Sequence, residues 1–468
     1  MSAPRTRPTL AATLARSLER QIREGAYRPG DKLPSLRELA QLHGYAKNTV
    51  VASFEWLVAQ GLVEPRRGSG YYVREQAAGR PPEDDDAGSL DRAMDIVWMM
   101  REQLKTEPGT FAVGDGFPPV EWLAEARLDR YHHKVVRTGL GALFRYGSRF
   151  GYRPLREHLV RKLADFGIGA EPRQIVLTHG ANEAMDMVVR YFVPPGGTVL
   201  VDDPGYYPLF GKLKLAGARI VGVPRQPDGP DLAALEQCLQ LHRPRLFFTQ
   251  SIAHNPTGSA LSAAKAFKVL QLAQRYDLRI VENDPLADFA PTSAPRLSAL
   301  DQLERTIYIG SFSKSFSAAL RVGFIASSAD LASDLADLKA LIHVGSSEYC
   351  ERTVDVILSE GHYQRHLKRL RDRLAQAMEQ ALRLFDGLGA EVFARSAPSL
   401  YLWVALPGVP DTLEFAKEVL PQRIVLAPGR IFCVDASAAC RWSRFNVGAV
   451  SDPRFAKALR AALRRRGV

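Results

Sequence analysis

Sulfur is scarce in this 468-residue sequence: it has four cysteines, Cys238, Cys350, Cys433 and Cys440, and no CxxC pair. That spacing excludes a disulfide-stapled scaffold and a cysteine cage for zinc, and fits free thiols in a reducing cytoplasm. Long apolar runs are also missing. No stretch is long enough to cross a bilayer, so no membrane partner is expected. The opening MSAPRTRPTLAATLARSLERQ has arginines but no continuous apolar core, which argues against a secretory signal and for a cytoplasmic protein. Metal ligands are sparse too. His362 and His366 stand four apart in GHYQRHLKRL, but no third ligand accompanies them and five basic residues crowd the segment (Arg365, Lys368, Arg369, Arg371, Arg373). No metal is expected.

An excess of one charge is absent from most of the chain. Residues 75–450 hold 44 basic and 44 acidic side chains, whereas the whole chain carries a net +11. The surplus sits at the two ends, with 12 against 6 in residues 1–74 and 6 against 1 in residues 451–468. A basic N-terminal module points to a nucleic-acid partner. The C-terminal RFAKALRAALRRRGV reads as a solvated amphipathic helix. The apolar content of 46% suffices for a large core, and the length allows two or three domains.

In residues 9–24, Leu10, Leu14, Leu18 and Ile22 recur every four, which predicts one face of a helix. After the turn-rich GAYRPGDKLPS, Ser35 and Glu38 form the signature of a capping box for a second helix, LRELAQL, ending at His43-Gly44. A third helix is predicted from about Ala46 to Gln60. Its leading Lys47, Asn48 and Thr49 offer a phosphate cation, a base-edge amide and a hydroxyl. LVEPRRGSGYYV then reads as two strands around a basic tip. Helix, capped helix, turn, helix and basic hairpin describe a helix-turn-helix with a wing. Over residues 8–74 the stretches YRPGDKLPSLRELA, NTVVASFEWLVAQGLV and RRGSGYYV resemble the GntR family of winged helix-turn-helix regulators. The resemblance implies that Ser35, Arg37, Lys47, Asn48, Thr49, Arg66, Arg67 and Gly68 lie near duplex DNA.

Residues 75–90, EQAAGRPPEDDDAGSL, have a linker composition. Beyond them, apolar strand-like runs alternate with helical stretches (QIVLT, TVLVDD, RLFFT, RIVEND, TIYIGSF, VGFIAS), the pattern of an α/β domain with a mostly parallel sheet. Ligands of such sheets sit beyond the carboxyl ends of the strands. The residues there are chemically suggestive. His179-Gly180-Ala181-Asn182 opens a helix and could cradle an anion. Tyr206 follows a Pro-Gly turn and could stack on a flat ring. HNPTG, residues 254–258, is a rigid turn that aims Asn255. Asn283 and Asp284 end RIVEND. In GSFSKSFSAALRVGF, residues 310–324, Lys314 sits among Ser311, Ser313, Ser315 and Ser317, with Arg321 seven residues on. A desolvated lysine amine attacks aldehydes, and hydroxyls with an arginine fork suit a phosphate. Near the C-terminus, Arg444 offers a clamp for a carboxylate.

Cradle, aromatic plate, amide, acid and serine-flanked lysine occur in the order seen in fold-type-I aminotransferases, which residues 91–468 resemble. The domain pair as a whole resembles the MocR group of GntR regulators. The resemblance implies pyridoxal 5′-phosphate (PLP) on Lys314 as a Schiff base. It implies Tyr206 on the pyridine ring, Asn255 on the ring hydroxyl, and Gly180, Ala181, Asn182, Ser311, Ser313 and Arg321 on the phosphate. It implies Arg444 on an amino-acid carboxylate. Tyr146, in FRYGSRFGYRPLREHL, falls where a tyrosine reaches the partner subunit's phosphate, which implies a homodimer.

Two departures stand out. Asn283 falls where a carboxylate is expected beside the ring nitrogen, with Asp284 next to it and Pro285 or Leu286 where a tyrosine is expected. Pro398-Ser399 replaces a Gly-Gly turn. Both weaken the expectation of catalysis. The favoured reading is a regulator that senses an amino compound or PLP itself; a working aminotransferase with a DNA-binding appendage is the alternative, and a DNA-binding protein with a mere dimerisation scaffold is a third.

Overall fold

The computed structural model describes residues 10–23, 27, 30–59, 62–66, 69–73, 109–137, 144–395 and 398–467. The chain divides into two compact units, Met1–Ala87 and Gly88–Val468. The linker expected at 75–90, and Arg67 and Gly68, lie outside the described residues.

In the smaller unit, three helices, α1 (Leu10–Arg23), α2 (Leu36–His43) and α3 (Lys47–Ala59), precede a hairpin of β1 (Val63–Arg66) and β2 (Gly70–Val73). The hairpin pairs Val63 with Val73 and Arg66 with Gly70. Leu14 and Leu18 of α1 are buried against Leu39, Val50, Phe54, Leu57, Val63 and Val73. Leu10, expected on the same face, is 58% exposed, because it begins the helix one turn beyond the core. The capping box is present. Glu38 N–H donates to the Ser35 hydroxyl at 3.3 Å, and Ser35 N–H donates to the Glu38 carboxylate at 2.7 Å. Those contacts hold the Glu38 carboxyl below its ordinary range. Gly44 ends α2 at φ +65°, a left-handed position suited to glycine. Ser53 pins α3 to α1 by donating to the Ala11 carbonyl at 2.9 Å.

The larger unit is built on an eight-stranded sheet. Its strands are β3 (Ile175–Thr178), β4 (Thr198–Asp203), β5 (Arg219–Gln226), β6 (Gly229–Pro230), β7 (Leu246–Thr249), β8 (Arg279–Asp284), β9 (Thr306–Ser311) and β10 (Gly323–Ala326), in the order β3-β10-β9-β8-β7-β4-β5-β6. The β5-β4-β7-β8-β9 block is parallel. β10 runs antiparallel to both its neighbours, and β6 antiparallel to β5. The sheet is buried on both faces, which explains why its strands read as continuous apolar runs. A second, antiparallel sheet of β11 (Glu391–Val392), β12 (Tyr401–Ala405), β13 (Ala427–Pro428) and β14 (Trp442–Asn446) has the order β11-β12-β14-β13. Among the described residues no helix is long and apolar enough to cross a membrane.

Two strand placements matter for the site. Pairing with β9 carries β8 through Asp284, with Asn283 opposite Ile309 and Asp284 opposite Gly310. Arg444 lies inside β14, opposite Trp403 and Ala427.

Candidate functional site

The turn after β9 carries Lys314, whose amine donates to the Gly116 carbonyl and stands 3.6 Å from the centre of the Phe117 ring. Desolvation and then the nearby Arg444 cation depress its pKa to about 7, Arg321 adding to the shift and Asp115 opposing it. The amine is therefore half neutral near pH 7, the state in which it is a nucleophile. Asp115 itself is pushed up by burial. The Gly114–Pro119 segment that meets Lys314 is held by Asn446, whose amide donates to the Asp115 carbonyl at 3.1 Å and the Phe117 carbonyl at 2.6 Å. Tyr401 donates to the Gly116 carbonyl at 2.8 Å. A methyl group on Gly116 would stand 3.5 Å from both the Lys314 amine and the Arg444 guanidinium, in ordinary contact with each.

On one side of Lys314 lies a polar cradle. Arg321 donates to the His179 carbonyl at 2.8 Å and reaches the Ser313 hydroxyl at 3.5 Å. Ser313 N–H donates to the Ser311 hydroxyl at 3.2 Å. Gly180 begins the helix Gly180–Phe192 at φ +76°, and a Cβ there would fall 2.8 Å from the Arg321 guanidinium. Ala181 and Asn182 follow in the same first turn, and the Asn182 Oδ1 is buried without a partner. Backbone N–H groups, hydroxyls and a guanidinium thus converge, the donor set for a phosphate.

On the other side Arg444, 1% exposed, spans the floor. It donates to Asn255 Oδ1 at 2.8 Å and to the Gly114 carbonyl at 2.6 Å, and its guanidinium lies 4.9 Å from the ring centres of both Tyr401 and Phe432. Asn255 is anchored in turn by its N–H, which donates to Gln250 Oε1 at 2.7 Å. A small cavity of about 20 Å³ is walled by Tyr206, Asn283, His254, Gln250 and Asp202. Burial raises the Tyr206 hydroxyl pKa against the opposing charges of Arg444 and Arg321.

Successive strand residues face opposite sides of a sheet, so β8 sends its last two side chains apart. Asn283 faces the cavity, and its Oδ1 is buried without a partner. Asp284 turns away: its Oδ2 accepts from Arg296 Nε at 2.9 Å and from the Tyr308 hydroxyl at 3.0 Å. Tyr146 is 85% exposed beside Phe144 and the Gly345–Tyr349 turn, and does not join Lys314 within this chain. His366, considered above as a ligand, is bonded to the Ser315 carbonyl at 2.9 Å.

Sequence reasoning missed three features. The Gly114–Pro119 segment meets Lys314 only through contacts some 200 residues away in the chain; its Gly-Asp-Gly-Phe-Pro-Pro composition was the one available hint. Beneath the cavity, Asp202 accepts from Thr249 at 2.8 Å and from Arg225 at 3.1 Å, with His254 Nε2 at 3.4 Å. Burial, with the Arg225 charge, holds His254 at a pKa of about 4, so it is neutral at pH 7. Behind Lys314, Asp288 accepts from Lys162, from Ser315 at 2.8 Å and from Tyr363 at 2.6 Å, tying down the loop.

In the smaller unit, Lys47 and Asn48 are exposed at the start of α3, with Thr49 half-buried, and Ser35 and Arg37 are exposed at the start of α2. The Ser35 hydroxyl is engaged as a cap acceptor. Arg66 ends β1 with its guanidinium 4.4 Å from the centre of the Tyr72 ring and its Nε on Glu64 at 3.0 Å.

Residues 110–462 match the family of class I and II aminotransferases, and residues 10–73 match the bacterial regulatory proteins of the gntR family. The chain is 30% identical over 439 residues to the HTH-type transcriptional regulator YdcR of Escherichia coli, covering 92% of this chain and 93% of that one. It is 28% identical over 376 residues to the probable rhizopine catabolism regulatory protein MocR of Rhizobium meliloti, covering 78% and 74%. The crystal structure of LysN, an alpha-aminoadipate aminotransferase from Thermus thermophilus complexed with N-(5′-phosphopyridoxyl)-L-leucine, superposes with a TM-score of 0.71 at 25% identity, covering 78% of this chain and 95% of LysN. A gntR helix-turn-helix unit followed by a class I/II aminotransferase unit, matched nearly end to end by regulators of the same build, makes this chain a MocR-type transcriptional regulator.

Proposed function

We propose that the larger unit holds PLP at Lys314, that it responds to a small amino compound or to PLP itself, and that the smaller unit carries the response to duplex DNA. The observation that carries this reading is the Lys314 amine, depressed to about 7 beside a cradle of Gly180, Ser313 and Arg321. The residues fit the cofactor. A buried acceptor at the cavity, Asn283 Oδ1, and a buried donor, Arg444 Nε, lack partners. A relative so similar in fold was solved with a phosphopyridoxyl amino acid.

In this reading Gly180, Ala181, Asn182, Ser311, Ser313 and Arg321 bind the phosphate, and Tyr206 covers the ring. Asn283 meets the ring nitrogen, and Asn255 the ring hydroxyl. When bound, PLP supplies an electrophilic carbon and an electron sink. Lys314 would supply the amine that bonds the aldehyde carbon of PLP. Arg444 clamps an effector carboxylate by exchanging its Asn255 and Gly114 contacts. Phe117 and Tyr401 close over the amine and exclude water.

Sensing is favoured over turnover because Asn283 is neutral and Asp284 is committed to Arg296. A neutral amide does not hold a proton on the ring nitrogen by charge, which weakens the sink. The exposed Phe144 and Tyr146, beside His343 and Gly345–Tyr349, and the exposed Leu341 and Val344 support a homodimer in which Tyr146 reaches the partner's phosphate. The test is a visible-absorbance titration of the purified protein with PLP, then with amino compounds, alongside binding to its operator. A Lys314-dependent band that amino compounds shift, with a change in operator affinity, supports the reading. Operator affinity indifferent to both PLP and amines overturns it.

A further inference from the structure

Two of the four cysteines, unremarkable in the sequence, meet in the fold. Cys433 follows the short helix Gly429–Phe432 and Cys440 lies just ahead of β14, with the exposed loop Asp435–Ala439 between them. Both thiols are half-buried, and each lies close enough to the other to perturb its ionisation. Both lie against Gly429: the Cys433 sulfur is 3.6 Å from its carbonyl, and a Cβ on Gly429 would fall 2.5 Å from the Cys440 sulfur. Glycine keeps that space open. The two ends are fixed independently. The Cys440 carbonyl accepts from Thr412 N–H at 2.9 Å and from its hydroxyl at 3.0 Å, while Val434 N–H donates to Asp203 at 3.3 Å.

We propose that Cys433 and Cys440 are a dithiol that hydroperoxides oxidise reversibly to a disulfide. The Cys433 thiol is held as a donor to the Gly429 carbonyl, which leaves Cys440, its thiol lowered to about 7, as the sulfur that attacks. Arg430, paired with Asp411 at 2.6 Å, lies near Cys440; Asp203 and Asp435 face Cys433. In the first step the Cys440 thiolate forms an S–O bond as the peroxide O–O bond breaks, and the departing oxygen takes the thiol proton and leaves as an alcohol or water. In the second, the Cys433 sulfur attacks that of Cys440, the S–S bond forms, and the hydroxyl leaves as water with the Cys433 proton. Two thiols lose two electrons and one peroxide gains them.

Closure sets the two sulfurs about 2.05 Å apart, and Phe432 and Val434 flank Cys433. Phe432 packs on the Arg444 guanidinium, and its carbonyl accepts from Gly205 N–H at 2.7 Å, one residue before Tyr206. The disulfide therefore bears on both walls of the cleft, although its formation requires no cofactor.

Trypsin releases residues 431–441 as one peptide containing both cysteines. The full-length protein is reduced, exposed to equimolar hydrogen peroxide, blocked with N-ethylmaleimide, denatured, alkylated again and digested. The expected peptide is unalkylated and lighter by two hydrogens, reverts with dithiothreitol, and forms before Cys238 or Cys350 is oxidised. In Cys433→Ser, dimedone should label Cys440. Full alkylation of 431–441 while Cys238 or Cys350 oxidises would overturn the proposal, as would dimedone on neither sulfur of the variant.

Discussion

Asp284 Oδ2 accepts a hydrogen bond from Arg296 Nε at 2.9 Å, and both side chains are sealed from water. The Arg296 guanidinium is further held 4.0 Å from the centre of the Phe166 ring, on the side of β8 opposite the cavity that Asn283 faces. The carboxylate that follows Asn283 on β8 is thus a structural partner, and the amide is left facing the cavity.

Asp284→Ala should strand the Arg296 charge and cost about 3–5 kcal/mol in chemical denaturation. Asn283→Ala, whose Oδ1 has no partner, should cost less than about 1.5 kcal/mol. Restoring a carboxylate with Asn283→Asp should speed the single-turnover reaction with an amino donor by roughly ten- to a hundredfold, the worth of a charge-assisted contact of about 1.5–3 kcal/mol in the transition state. Fast conversion by the unaltered protein, insensitive to Asn283→Asp, would assign the chemistry to another residue.

The depressed Lys314 amine has a pH signature. It is protonated and inert below its pKa of about 7 and neutral above it. The rate of PLP capture, followed by absorbance, should rise through pH 7 and level off, rather than climb toward the ordinary lysine value of 10.5. Since the Arg444 cation lowers that pKa, Arg444→Met should move the midpoint upward and Arg444→Lys should move it less. A midpoint unmoved by Arg444→Met would remove Arg444 from the site's electrostatics.

Legibility followed how local each feature is. The capping box of Ser35 and Glu38, the HNPTG turn and the serine-flanked Lys314 could be read because their chemistry lies within a few residues. The strands showed because burial on both faces leaves continuous apolar runs. What could not be read depends on pairing across the sheet. The face each β8 side chain takes, fixed by pairing with β9, decides that Asn283 faces the cavity and Asp284 does not. The Gly116 carbonyl at Lys314, the Asp202–Arg225–His254 group and the meeting of Cys433 with Cys440 are brought about by the tertiary fold, and no spacing announces them.

For the smaller unit, Asn48→Ala should reduce discrimination between operator and random duplex by about 1–3 kcal/mol if it contacts an adenine. Lys47→Ala should weaken all sequences alike and flatten the salt dependence. A protein truncated to residues 75–468 should lose operator binding. Retained binding by the truncated chain, measured by fluorescence anisotropy, would remove the winged unit from DNA recognition.

For assembly, the PLP-loaded protein should sediment as a dimer at micromolar concentration. Leu341→Asp, placing a charge at an exposed apolar position, should dissociate it. Tyr146→Phe should leave the dimer intact and weaken PLP retention. A monomer in the unaltered protein would contradict the shared site.

Borohydride reduction of the PLP-loaded protein followed by peptide mapping tests the central claim most directly. The account predicts a single phosphopyridoxyl group on Lys314, absent from Lys314→Ala. Labelling of another lysine, or of none in PLP-saturated protein, would contradict it.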